Sequence, residues 1–250
     1  MNIALPRGMR LLELTSAKST NTVAADAARA GEPAGLVVTA ESQSAGRGRR
    51  GRSFFSPGGT GLYMSILLRP ELSPERAVLL TAAAAVAVCR ALEGIGEKPS
   101  IKWVNDVYLR GKKVCGILTE ASLSAGGAAL DYAVVGMGLN VTPPPGGFPA
   151  ELVDVAGAVS PEPREGLREE LAEAILKAFA ALADDPESCV SAYAERVTPP
   201  GTRVDVISSH GTRSAVVLGT DEKCRLLVRY DDGSEEALNS GEISIKTRLP

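Results

Sequence analysis

The chain has 250 residues, 44% of them hydrophobic and 23% charged, with a net charge of −3 at neutral pH, which is enough chain to bury one large core and a smaller one beside it. The acidic balance excludes a general affinity for nucleic acid, and an aromatic content of 4% excludes broad base-stacking platforms. Four scattered cysteines (Cys89, Cys115, Cys189, Cys224) and a lone histidine, His210, leave almost nothing from which to build a zinc site or a nucleophile–histidine apparatus.

Residues 1–10 carry Pro6 and Arg7 and lack the apolar run of a secretory leader, and cysteines read as small buried hydrophobes suit a reducing compartment. A cytoplasmic protein is therefore expected. Leu11, Leu12 and Leu14 form a short apolar entry. The polar run 15–22 then leads to a helix predicted over 23–30 and stopped at Gly31, with Ser19, Thr20 or Asn21 as its N-cap. One cap uses one of the three, and the surplus suits a neutral polar ligand.

Residues 35–41 read as a strand, and 60–69 as another. Between them lie Gln43 and the stretch 45–57, where arginines 47, 49, 50 and 52 interleave with glycines 46, 48 and 51. Adjacent arginines repel unless an anion sits among them, and glycine weakens any helix or strand but lets backbone approach a ligand closely. The pattern reads as a loop that closes over an anion and is mobile until it does; a solvated linker or a nucleic-acid patch has the same composition. The two flanking strands hold it at both ends.

Pro70, Ser73 and Pro74 stop the second strand and start a helix through about residue 92, whose apolar run 77–89 is too short for a membrane span and suits a core helix. Next comes Lys102-Trp103-Val104-Asn105-Asp106, then the Arg110-Gly111 turn. Strands over 112–121 and 130–141, joined at Gly126-Gly127, read as a hairpin. Lys112 and Lys113 open the first of them, and alternation sends one of the two inward. A loop at 143–147, a helix over 164–184 with apolar residues at helical spacing, and a short helix over 187–196 follow. Composition shifts at Thr198-Pro199-Pro200-Gly201. Five short strands at 203–208, 213–219, 224–230, 235–238 and 243–246, with turns at His210-Gly211 and Asp232-Gly233, then read as a small β-barrel. The fold class is α+β, with domains over 1–197 and 198–250.

Many cations without a nucleophile–histidine pair suit a reaction between two anions, where catalysis is neutralisation and positioning. A carboxylate attacking the α-phosphate of ATP is such a reaction. Ser19-Thr20-Asn21, Gln43, the 46–52 loop, Lys102-Trp103-Val104-Asn105-Asp106, Lys113-Val114-Cys115-Gly116-Ile117-Leu118 and Gly136-Met137-Gly138-Leu139-Asn140-Val141 stand in the order and spacing of the biotin protein ligases, which the chain resembles over nearly its whole length. The loop and the K-W-x-N-D segment together make the resemblance specific.

The resemblance implies a class II synthetase-like mixed sheet packed with helices, followed by an SH3-like barrel. It implies synthesis of biotinyl-5′-AMP from biotin and ATP with magnesium, through ligands it leaves undefined, and transfer of biotin to a lysine of a biotin carboxyl carrier domain. Such an enzyme works as monomer or homodimer, without DNA or membrane. Carried over by position, Ser19, Thr20, Asn21, Gln43, Arg47, Gly48, Arg49, Lys113 and Gly116 are similar to biotin ligands, the neutral groups suiting a ureido ring. Arg49, Arg52, Phe54, Lys102, Asn105, Asp106 and Asn140 are similar to ATP ligands. Lys113, bridging carboxylate and α-phosphate, and Arg49 are similar to the catalytic cations. The family usually has proline at Val104 and often tryptophan at Phe54. Eighteen residues before Ser19 are too few for the winged-helix repressor domain of some members, so the ligase-only class is expected. The rivals are a lipoate–protein ligase or octanoyltransferase of the same fold, the latter needing a cysteine nucleophile such as Cys115, and a nucleic-acid-binding module.

Overall fold

The computed structural model describes residues 1–208, 211–239 and 242–245. Seven strands form one mixed sheet: β1 (Arg10–Ala17), β2 (Leu36–Gln43), β3 (Gly61–Leu68), β4 (Ser100–Lys102), β5 (Asp106–Leu109), β6 (Lys112–Leu123) and β7 (Leu130–Asn140), in the order β1-β2-β3-β7-β6-β5-β4. β1 and β2 are parallel, joined by helix α1 (Thr20–Arg29), and every other pair is antiparallel. The short entry expected at 11–14 is thus a full strand, and residues 101–109, left unassigned by sequence, supply two more. Both are easily missed: β1 is an exposed edge strand, and β4 and β5 are too short to show a period.

Alternation along the strands divides the sheet into two faces. Val37, Met64, Ile66, Val135 and Met137 enter the larger core, covered by α2 (Ala77–Gly94) and α3 (Leu167–Ala183). Val38, Leu67, Val134 and Tyr132 pack on Ala24 and Ala28 of α1. α2 follows a turn of 3-10 helix at Pro74–Arg76 and buries residues Ala82 through Cys89 completely. By length and composition Pro74–Gly94 could cross a bilayer, longer than the run judged from sequence, but its middle, residues 82–89, is apolar all round because protein covers it on all sides. α1 begins at Thr20, three residues before the expected start, because the polar run itself forms its first turn.

After α4 (Val190–Ala194), residues 196–198 run along β4 through Ile101 N–H to Arg196 O and Thr198 N–H to Ile101 O. The chain then enters a five-stranded antiparallel sheet of β8 (Arg203–Ser208), β9 (Gly211–Thr220), β10 (Leu226–Tyr230), β11 (Glu235–Leu238) and β12 (Glu242–Ile245), ordered β11-β10-β9-β8-β12, the small barrel of the expected class. His210 lies outside the described residues. Val204, Val206, Ala215, Val217, Leu226 and Val228 fill its interior and join the larger core. The indole of Trp103 donates to Cys224 O at 3.0 Å, and the Tyr193 hydroxyl to Val104 O at 3.0 Å. The K-W-x-N-D segment is therefore gripped by the barrel on one side and α4 on the other, which fixes the turn carrying Asn105 and Asp106. The Trp103–Val104 peptide is cis.

Candidate active site

The site lies on the α1 face of the sheet, where glycines replace side chains. Two rows cross the strands there: Ser65–Gly136–Leu118 and Tyr63–Gly138–Gly116. A Cβ on Gly136 would stand 1.8 Å from Asn21 Oδ1, and one on Gly138 2.6 Å from Phe54 Cε1. The glycines are what allow the first turn of α1 and the arginine loop to lie directly on the sheet.

Ser19, Thr20 and Asn21 are all buried at this point. Ser19 is the N-cap by position, yet its side chain makes no capping bond. Gln43, at the end of β2, caps instead: its Oε1 accepts from Thr20 N–H at 2.9 Å and lies 3.2 Å from the Thr20 hydroxyl, while Nε2 donates to Ser56 Oγ at 2.9 Å. Asn21 donates both amide hydrogens, to Leu118 O at 3.1 Å and Glu120 Oε2 at 3.0 Å. Its Oδ1 lies 2.7 Å from the Ser65 hydroxyl, which is equally close to Thr20 Oγ1. With its donors used, Asn21 offers a ligand only a carbonyl lone pair, whereas Ser19 keeps its hydroxyl and Gln43 one amide hydrogen. A ligand with N–H groups and a carbonyl of its own, such as a cyclic urea, matches that set. Ser65, Ser56 and Glu120 were not picked out from sequence; the signal for Ser65 was there, as the one polar residue inside the apolar run 62–68.

The arginine loop is folded back on itself. Gly48 N–H bonds Arg52 O at 2.7 Å and Phe54 N–H bonds Gly46 O at 2.8 Å, with a turn of 3-10 helix at Arg49–Gly51 between. Arg47 pairs with Glu120 at 2.7 Å, and Arg49 donates to Asn105 Oδ1 at 3.2 Å. The expectation that the loop has little to hold it until an anion binds thus meets a structure in which the guanidiniums of Arg47 and Arg49 already have protein acceptors. Asn105 is itself tied to β6, its Nδ2 bonding Ile117 O at 2.9 Å.

Arg47, Gly48, Arg49, Arg52, Phe54 and Lys102 line a cavity of about 350 Å³, as do Asn105, Asp106, Lys113 and Gly116. Asn140 is apart from these. It lines a neighbouring pocket of about 100 Å³ with Phe54, Lys113 and Phe148, and its Nδ2 bonds Gly157 O at 3.0 Å. The Phe54 ring, edge-on to Tyr63, stands between both cavities and the Ser19–Asn21 pocket, which holds only about 20 Å³. A bicyclic ligand fits that pocket only when Phe54 moves aside.

Which lysine faces the site is decided by a bulge. Tyr108 pairs with Lys113 and Val107 with Cys115, so β6 spends three residues where β5 spends two. Without the extra residue, Lys112 would share the face of Gly116. With it, Lys113 does, its Nζ 2.7 Å from Asp106 Oδ1, while Lys112 turns out to bond Val153 O. Cys115 lies on the opposite, core face, fully buried, and burial pushes its thiol up. It is therefore expected to resist alkylation in the native protein, and Cys115→Ala should keep at least about half of the activity, as a small core trim does. Rapid labelling of Cys115 at neutral pH, read by peptide mass, would contradict this.

Residues 13–140 match the Biotin/lipoate A/B protein ligase family, and residues 201–246 match the Biotin protein ligase C terminal domain. The chain belongs to the Biotin/lipoate A/B protein ligase family. Within it, the chain is 39% identical over 154 residues to the "Bifunctional ligase/repressor BirA" of Bacillus subtilis, covering 61% of this chain and 47% of that protein. It is 40% identical over 127 residues to the "Biotin--[acetyl-CoA-carboxylase] ligase" of Paracoccus denitrificans, covering 50% and 48% respectively. The chain spans about half the length of these curated relatives. A solved structure of Aquifex aeolicus biotin protein ligase in complex with biotin and ATP superposes with a TM-score of 0.75 at 27% identity, covering 95% of this chain and 98% of that one.

Proposed function

We propose that the chain is an ATP-dependent biotin protein ligase, built as a biotin- and ATP-binding unit over 1–197 and a barrel over 198–250, acting in the cytoplasm on a lysine of a biotin carboxyl carrier domain. One observation carries the reading: a pocket lined by the neutral groups of Ser19, Thr20, Asn21 and Gln43 shares Arg47, Phe54 and Gly116 with a cavity lined by Lys113 and the loop arginines. The first suits a ureido ring; the second suits a carboxylate and a triphosphate meeting. In step one, a biotin carboxylate oxygen attacks the α-phosphorus and pyrophosphate leaves. Lys113 and Arg49 offset the repulsion of the two anions and hold them in line. In step two the acceptor lysine's amine attacks the mixed-anhydride carbonyl and AMP leaves.

Magnesium belongs to this reading as the partner of the phosphates. Among the described residues no group of three acidic or metal-ligating side chains is present, and Asp106 is the carboxylate lining the cavity, already paired with Lys113. That set fits an ion held chiefly by nucleotide oxygens and water, with Asp106 as the protein's contribution. The lipoate and octanoyl alternatives have no such support, and Cys115, the thiol an octanoyl route would use, faces the core.

Exchange of labelled pyrophosphate into ATP tests the proposal: it should require biotin and be absent with lipoate or octanoate. Exchange driven equally by lipoate would overturn it. Arg49→Ala should release the adenylate about tenfold faster or more, the worth of one charge-assisted hydrogen bond, giving labelling of bystander lysines. An unchanged rate of adenylate dissociation in stopped flow would remove Arg49 from that role.

A further inference from the structure

Glu120 plays no part in the chemistry above, and nothing in the sequence pattern singles it out. It follows Gly116 and Leu118 on the site face of β6, beyond the last residue that pairs with β5. One carboxylate oxygen, Oε2, accepts from Asn21 Nδ2 in the pocket wall at 3.0 Å; the other, Oε1, lies 2.7 Å from Arg47 Nη2 in the loop. A half-exposed ion pair alone contributes little, and here the side chains are 49% and 31% exposed. The contact with Asn21 differs. That residue is 4% exposed, and the bond from its amide to a charged acceptor is of the stronger kind.

We infer that Glu120 is a positioning residue that sets the Asn21 amide so that its carbonyl, already accepting from Ser65, keeps one lone pair for the ligand, and seats the loop through Arg47, so that filling the pocket and closing the loop are coupled through one carboxylate. This rests on the biotin-ligase reading for the ligand's identity but not for the loop. The carboxylate is planar and accepts on both oxygens. A glutamine has one oxygen and one NH₂, so whichever contact keeps the oxygen, the other sets donor against donor.

Glu120→Gln tests this in the full-length protein, with melting temperature as the control for folding. The KM for biotin in pyrophosphate exchange should rise about tenfold, while kcat and the KM for ATP change less than about threefold, since the lost bonds are made to groups that bind rather than react. In the ligand-free protein, the hydrogen-bonded amides of Gly48, Arg52 and Phe54 should exchange several-fold faster. In an Arg47→Gln background, Glu120→Gln should add no further acceleration of that exchange. Unchanged loop exchange, an additive double variant, or a fall in kcat at constant biotin KM would each overturn the inference. A wild-type protein with no biotin-dependent exchange would retire the biotin reading instead, and the ligand-free measurement would still decide for or against Glu120.

Discussion

Lys113→Ala is expected to lower biotin-dependent pyrophosphate exchange by about a hundredfold or more, equivalent to about 3 kcal/mol of lost transition-state stabilisation. The expectation follows from where the bulge in β6 puts the ammonium: on the face of Gly116, lining both the arginine-lined cavity and the neighbouring Asn140 pocket, 2.7 Å from Asp106. The backbone at this residue is held independently, Lys113 N–H bonding Val155 O and Gly157 N–H bonding Lys113 O, both at 2.8 Å, so truncating the side chain leaves the strand in place. Asp106 loses its partner and its Oδ1 is itself buried, so a fall in stability of about 1–3 kcal/mol should accompany the change. Lys113→Arg should not restore the rate, because a planar fork cannot take the position of a compact ammonium between two anions. Adenylate formation near the wild-type rate in Lys113→Ala would show that the charge acts elsewhere.

What could be read from sequence divides along physical lines. Long elements with a clear period were legible to within a few residues: α3 was expected over 164–184 and runs Leu167–Ala183, and the β6–β7 hairpin sits where Gly126-Gly127 placed it. β4, with three residues, and β5, with four, were not, because they exist by pairing with neighbours rather than by any pattern of their own. The polar run Ser19–Asn21 was legible as a surplus of hydrogen-bonding groups. That Gln43 rather than Ser19 caps α1 was not, since the bond joins residues 23 positions apart. The lysine pair shows the limit most plainly. Alternation says that one of two faces inward, and only the register of β6 on β5 decides which. Glu120 and Ser56 are ordinary residues in their local sequence and acquire a part only through contacts with distant parts of the chain.

Gly136→Ala is expected to abolish biotin binding to the limit of measurement, a loss of about a hundredfold or more. The added methyl would stand 1.8 Å from Asn21 Oδ1, 2.8 Å from its Cγ and 3.1 Å from its Nδ2. Neither partner yields easily: Gly136 is in mid-strand between Ser65 and Leu118, and Asn21 is fixed in the first turn of α1 by bonds to Ser65, Leu118 and Glu120. Expelling the amide leaves buried donors and acceptors unmatched at about 1–3 kcal/mol each, so a fall in stability of about 2–4 kcal/mol should accompany the loss of affinity. A second variant separates site from fold. Asn21→Ala combined with Gly136→Ala removes the clash, so stability should recover in part while biotin binding stays lost. Gly94→Ala, with nothing within 4 Å of its added methyl, should leave biotin affinity unchanged and stability equal or slightly raised, since alanine favours the helix. Wild-type biotin affinity in Gly136→Ala, measured by calorimetry, would mean that the pocket against Asn21 is not where the ligand's ring lies.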